Sequence, residues 1–346
     1  RVISAPFFAC LFYGTEETKV KKKSTEIFEN APIPKAVFLN IIPSIVSMLM
    51  VLVYNLADTF FIGQTKNALM VAAVSQATPA FLLFMAIGML FGIGGTSLIS
   101  RLMGQGRKAE ARKACSFCFW TGLGVGVVGM LAILIFNEPI SWLVGATEST
   151  IEYVRQYLVI VAFGVPFLII GNVFSNVLRA EGSANKAMMG MILGNLTNIV
   201  LDPIMILTFG WNVAGAAIAT VLGNVVSAVF YISHFMGDKS ELTISIREYQ
   251  AKHQIATGVL AIGIPASLNS MLMSVSNVLI NNLMKEYGDM SVAGLGVAMK
   301  VNMVAVMLLI GLGTGIQPLL GYNYGAGNRK RYKGILRFSL IFALCL

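Results

Sequence analysis

Eight apolar runs, each long enough to cross a lipid bilayer, constrain this chain more than any other feature. They lie at Ala36–Ile62, Leu69–Leu102, Ala114–Phe136, Ile151–Leu178, Ala187–Leu207, Ala214–Met236, Gln254–Met284 and Val292–Leu320, and a ninth begins near Ile335. A helix needs ~20 apolar residues to cross the hydrocarbon core. The runs are continuous, without the polar–apolar alternation of ~10-residue barrel strands, so they predict helices. Only 12% of the 346 residues are charged, against about 25% in a soluble domain, which is too few to cover a water-facing surface. Disorder is excluded by the same hydrophobicity. The fold class that remains is an all-α polytopic membrane protein.

Charge then orients the spans. Lys and Arg number 25 against 16 acids, a net charge of +9. Six bases lie in the N-terminal arm, and five (Arg101, Arg107, Lys108, Arg112 and Lys113) follow the second span. Arg179 and Lys186, then Lys239, Arg247 and Lys252, then Arg329, Lys330, Arg331, Lys333 and Arg337 fall on the same side, making 21 of 25. Lys66, Arg155 and Lys285 fall on the other side, and Lys300 within a span. The positive-inside rule puts the N-terminus in the cytoplasm of a multi-pass cell-membrane protein. The excess charge is therefore topological, and no nucleic-acid partner is expected. The acidic loop Asn137–Glu152 fits the outer face. The first 14 residues are too short to span and lack a signal-peptide pattern. Cys115 and Cys118 have the spacing of a zinc half-site, but without a second ligand pair they read as small apolar residues at a helix start.

An internal repeat organises the runs. Ile42-Pro43 through Ser47-Met48-Leu49-Met50 returns as Ile264-Pro265 through Ser270-Met271-Leu272-Met273 with one residue inserted. Gly104-Gln105-Gly106-Arg107-Lys108 returns as Gly325-Ala326-Gly327-Asn328-Arg329. The offsets, 270 − 47 = 223 and 325 − 104 = 221, nearly agree across two spans. Spans one and two therefore correspond to seven and eight, and the unit has six helices. An even number makes the copies parallel, related by an axis along the membrane normal, with a cleft between them. The expected organisation is an arm at 1–35, an N-lobe of six helices at 36–236, a cytoplasmic inter-lobe loop at 237–253, and the start of a C-lobe at 254–346. The second copy should need more residues than follow, so the chain reads as truncated.

Intramembrane charges are costly and mark functional interiors. Asp58 lies on the first span, Asp202 on the fifth and Lys300 on the eighth. Asn195, Asn198 and Asp202 are spaced three and four apart and share a helix face. Pro203 removes an N–H and frees the Ile199 carbonyl. Thr220 on the sixth span adds a hydroxyl at comparable depth. Two carboxylates with amide and hydroxyl oxygens suit a proton or a hard cation such as Na⁺. Were Na⁺ the ion, Asp58, Asn198, Asp202 and Thr220 would be its ligands. The alternative is structural: each acid tied up by neighbouring Asn and Thr. Asn195 and Lys300 stand as possible coupling or substrate contacts, and Lys300 could equally pair with a carboxylate or snorkel. No Walker A pattern, metalloprotease motif or nucleophile elbow occurs, so neither an enzyme nor a cofactor is expected.

These residues carry a resemblance. Asp58-Thr59-Phe60-Phe61-Ile62-Gly63, Ser100-Arg101-Leu102-Met103-Gly104-Gln105-Gly106, Leu178-Arg179-Ala180-Glu181-Gly182, Asn198 to Asp202-Pro203, and Ala214-Gly215-Ala216-Ala217-Ile218-Ala219-Thr220 stand in one order. Together they resemble prokaryotic multidrug and toxic compound extrusion (MATE) transporters. The resemblance implies twelve helices in two lobes, a monomer in the lipid bilayer, and export of small organic cations driven by H⁺ or Na⁺ entry. It matches Asp58, Asn198, Asp202 and Thr220 to the N-lobe cluster that binds the coupling cation. The chain departs from some members in lacking an acid on the seventh span. Two other readings stand beside it: a flippase for lipid-linked or anionic substrates on a related fold, and a non-transporting membrane scaffold or receptor.

Overall fold

The computed structural model describes residues 27–64, 68–237, 240–284 and 289–345. The arm before residue 27, with Lys66, Lys239 and Lys285, lies outside them, as does the Lys300 side chain. Each expected run forms a helix: α1 (Ile33–Gly63), α2 (Ala68–Gly104), α3 (Lys108–Ile135), then a short α4 (Asn137–Leu143) and α5 (Ile151–Ala180). After these come α6 (Ala184–Asp202), α7 (Asn212–Met236), α8 (His253–Met284), α9 (Asp289–Gly325) and α10 (Arg329–Cys345). Eight helices among the described residues are long and apolar enough to cross a membrane, and the protein is a multi-pass membrane protein.

Two segments differ from the sequence expectation. The outer loop contains the helical turn α4, where Pro139 stands in the first turn and needs no N–H partner. The fifth span leaves α-helical geometry at Pro203 and continues as a π-helical turn, Pro203–Thr208, in which the Phe209 N–H reaches back to the Ile204 carbonyl.

The first lobe is built around α5, which packs against α2, α3 and α7. Its inward residues from Val161 to Ala180 are almost all buried. α1 lies against α6 on the other flank. The second lobe meets the first through α1–α9, α2–α8 and α2–α9 packing. Because α1 corresponds to α8 and α2 to α9, the first two contacts are one contact seen twice, and α2–α9 lies on the axis between them.

Glycine makes the axial contact possible. A Cβ on Gly104 would sit 2.0 Å from the Tyr322 carbonyl oxygen, and one on Gly325 would sit 2.1 Å from that of Arg101. The repeat offset of 221 turns the first pair into the second, so the backbone crossing obeys the pseudo-two-fold. Gly94 against Val259, Gly263 against Leu90, Gly311 against Ile45 and Gly315 against Asn40 extend the interface. All of these contacts fall in the half of the bundle nearer the basic turns at 104–108 and 325–329. On the other half, Leu272, Val275, Leu279 and Leu283 of α8 and Leu56 and Phe60 of α1 are exposed. The lobes are closed at the basic face.

The loop before α8 is bound to the first lobe. The Arg112 Nε donates to the Glu241 carbonyl (2.8 Å), the Ser116 hydroxyl to Ser245 (2.8 Å) and the Trp120 indole N–H to Ile244 (3.0 Å). Glu181 accepts from the Ser240 hydroxyl (2.7 Å) and the Glu241 N–H (2.5 Å).

Candidate cation-coupling site

The site is assembled from α1, α6 and α7, which the sequence spacing alone does not bring together. α6 and α7 approach closely because Gly194 and Gly223 face each other: a Cβ on Gly223 would lie 2.7 Å from the Gly194 carbonyl oxygen. The chain reverses between the π-helical turn and α7 through Gly210 (φ 66°) and Asn212 (φ 48°), left-handed conformations that glycine and asparagine tolerate best. That reversal sets Thr220 opposite Asn198, whose side-chain N–H donates to the Thr220 hydroxyl at 3.3 Å.

Asp202 lies one turn beyond Asn198 on the same face and is fully buried. Among the described residues, neither of its carboxylate oxygens has a hydrogen-bond donor, nor has the Asn198 side-chain oxygen. Three buried acceptor oxygens thus stand without a donor on residues one helical turn apart. Leaving such groups unmatched costs several kcal/mol, more for a charged carboxylate. Asp58 on α1 is half-buried and lies within electrostatic reach of Asp202.

Two tyrosines complete the arrangement. Tyr54 stands one turn before Asp58, interacts with the Thr220 hydroxyl and faces both carboxylates electrostatically. Tyr157 on α5 lies close enough to interact with Tyr54, Asp58 and Asp202. Neither was among the residues singled out from sequence. The i, i+4 spacing of Tyr54 and Asp58 was a legible signal, whereas nothing in the local sequence tied Tyr157 to the acids. One turn towards the open end, Ile62, Ile206 and Ala216 form an apolar cluster with Phe61 and Val74. It joins α1, the π-helical turn and α7 beside the site.

Of the other residues read from sequence, Asn195 shares the helix face, but its buried side-chain N–H group has no partner and it makes no contact with the acids among the described interactions. Thr59 Oγ1 is bonded to the Asn55 carbonyl of its own helix (2.8 Å). Lys300 is carried by α9, and its side chain lies outside the described residues. Cys115 and Cys118 are both buried. Among the described residues, no three His, Cys, Asp or Glu side chains gather as metal ligands. The donor set at Asp202 is carboxylate, amide and hydroxyl oxygen, which fits a proton or one hard monovalent cation better than a transition metal.

Residues 43–204 and 265–346 match the family model described as MatE. The two matched stretches begin at Pro43 and Pro265, equivalent positions of the repeat. The chain belongs to the MATE family. It is 30% identical over 332 residues to the "Multidrug export protein MepA" of Staphylococcus aureus strain NCTC 8325, covering 94% of this chain and 73% of that protein. The same identity and coverage hold for the MepA protein of Staphylococcus saprophyticus. A crystal structure of MATE in complex with MaL6 superposes with a TM-score of 0.88 at 28% identity, covering 93% of this chain and 71% of that one. An outward-facing multidrug resistance MATE transporter of the MOP superfamily gives 0.85 at 28% identity, with the same coverages. Family membership makes the protein a transporter and not an enzyme.

Proposed function

We propose that the protein is a multidrug exporter that works by alternating access, with H⁺ or Na⁺ entry driving the exit of small organic cations. The observation that carries the reading is the deficit of hydrogen-bond donors at Asp202. Two buried carboxylate oxygens and the Asn198 amide oxygen, on residues one helical turn apart, have no donor among the described residues, and a second carboxylate, Asp58, lies within electrostatic reach. A positive charge relieves that deficit, and a proton or Na⁺ is the smallest species able to do so.

The site's chemistry supplies the coupling. With the bundle open on the face away from the basic turns, a cation reaches Asp58 and Asp202. Neutralising the pair removes the repulsion between α1 and α6 and changes how α1 packs. That change weakens the hold on substrate and favours its release on the open side. Reopening towards the basic face then frees the cation. The force available is the difference in cation affinity between the two states and nothing more. The basic face is read as cytoplasmic, the membrane as the plasma membrane, and the protein as a monomer. The substrate class rests on the family resemblance and on the names of the relatives.

The test is efflux of a cationic dye from vesicles holding the protein, driven by a proton or a sodium gradient. Wild type should respond to one of the two gradients, and Asp58→Asn and Asp202→Asn should lose that response while still folding. Equal gradient-driven efflux by wild type and both variants overturns the coupling assignment. Gradient-dependent transport of a lipid or an anionic compound in place of the dye favours the flippase reading.

A further inference from the structure

α1 is held at two points that belong to different lobes. Near its outer end, Asp58 and Tyr54 engage the α6–α7 site of the first lobe. At its base, the segment leading into it is gripped by the second lobe. Arg331, in the first turn of α10, donates from Nε to the Phe28 carbonyl (2.8 Å) and from one Nη to the carbonyls of Ile27 (3.2 Å) and Ala31 (2.6 Å). The Asn323 amide reaches the same Phe28 carbonyl at 3.4 Å. The Tyr322 hydroxyl donates to the Glu29 carboxylate. The Phe28 ring is fully buried and lies 5.4 Å, centre to centre, from that of Tyr322. Asn328 caps the Arg331 N–H (3.0 Å), which fixes the first turn of α10 and aims the guanidinium.

This grip comes from the other lobe and not from α1 itself. Residues 27–29 close a short helical segment ahead of α1, and the last carbonyls of a helix have no partner within it, so the oxygens of Ile27, Phe28 and Ala31 are satisfied by Arg331 from α10. A planar guanidinium spreading over three carbonyls of one short segment needs both lobes in their present relation. Tyr322 also supplies the carbonyl against which Gly104 of the first lobe is packed. The grip and the axial crossing therefore sit together at the closed face.

We infer that Arg331, with Asn323 and Phe28, forms a clasp that holds the base of α1 on the second lobe and stabilises the arrangement closed at the basic face. Arg331 is a positioning residue of the transport cycle. It touches neither cation nor substrate, and it acts by setting how readily α1 leaves the second lobe when the lobes rock. From its start at Ile33, just past the clasp, α1 reaches Asp58 after about 38 Å at helical rise. A change of α1 packing at the acids is thereby transmitted to the clasp, and the reverse. The inference rests on the alternating-access reading.

The experiment places spin labels on Gln105→Cys and Lys330→Cys, exposed positions in equivalent turns of the two lobes, in full-length protein whose native cysteines have been replaced. The distance distribution is measured in lipid nanodiscs, and dye efflux is measured in vesicles. Wild type should populate mainly the short distance. Arg331→Ala should raise the long-distance population about tenfold (~1.4 kcal/mol) with unaltered helix content and a cooperative melt. Arg331→Lys, which keeps the charge but loses the fork, should fall between. Phe28→Ala, which attacks the clasp from the other side, should shift the distribution the same way and serves if Arg331→Ala does not fold. An unchanged distribution in Arg331→Ala, or in Phe28→Ala where it is the variant that folds, overturns the clasp. If the distances shift as expected but wild type shows no gradient-driven efflux, the exporter reading fails while the clasp stands.

Discussion

The backbone crossing of α2 and α9 invites a steric perturbation whose size can be worked out atom by atom. Gly104→Ala would set its Cβ 2.0 Å from the Tyr322 carbonyl oxygen and 2.9 Å from the Ala326 nitrogen. Gly325→Ala would set its own 2.1 Å from the Arg101 oxygen and 2.9 Å from the Arg101 carbonyl carbon. The obstacles are backbone atoms inside helices, so no rotamer change relieves them. Restoring an ordinary contact of about 3.4 Å requires the two helices to separate by roughly 1.4 Å, and overpacking of this kind costs about 1–3 kcal/mol. Because the two glycines flank one crossing, a single separation relieves both clashes. The double variant should therefore cost about as much as either single, ~1–3 kcal/mol, and not the additive ~2–6 kcal/mol. Gly313→Ala is the control: nothing lies within 4 Å of its Cβ, and loss of a flexible residue from a helix interior should leave stability equal or slightly raised. Thermal unfolding of the purified protein in one detergent, followed by tryptophan fluorescence, measures all four. A Gly104→Ala protein as stable as Gly313→Ala, or a double variant with additive loss, would refute the reasoning.

Two smaller perturbations address other parts. Tyr54→Phe removes a hydroxyl that interacts with Thr220 beside both acids, so the cation concentration for half-maximal efflux should rise roughly fivefold (~1 kcal/mol) with the melting point unchanged; an unaltered dependence would exclude the hydroxyl from the site. Glu181→Ala strips the acceptor shared by the Ser240 hydroxyl and the Glu241 N–H, so trypsin should cut at Arg247 about tenfold faster or more. Equal cleavage would mean that the loop is held without Glu181.

How much of this was legible beforehand varies by residue, for physical reasons. Helix existence followed from apolar length because a bilayer leaves backbone groups no partner but their own helix. The Asn198–Asp202 pairing was readable because i, i+4 residues share a face whatever else surrounds them. The missing N–H at Pro203 was readable too, but not the π-helical turn that follows it, which packs against α7. Tyr157 was invisible because its closeness to the acids depends on where α5 passes α1 and α6. The Arg331 clasp was equally hidden: Arg331 stood among five bases of one basic stretch, and only the tertiary fold sets three carbonyls of residues 27, 28 and 31 within its reach.

Sequence by itself determined the number of spans, their common parallel repeat and the acidic residues that the membrane makes costly, because all three follow from local hydrophobicity and period. The three-dimensional structure alone decided which acids and tyrosines meet, which face is closed and what holds it closed. Those outcomes depend on close approaches between helices distant in sequence, set by glycines and carbonyls whose partners lie within the first lobe at the acids and across the two lobes at the basic face.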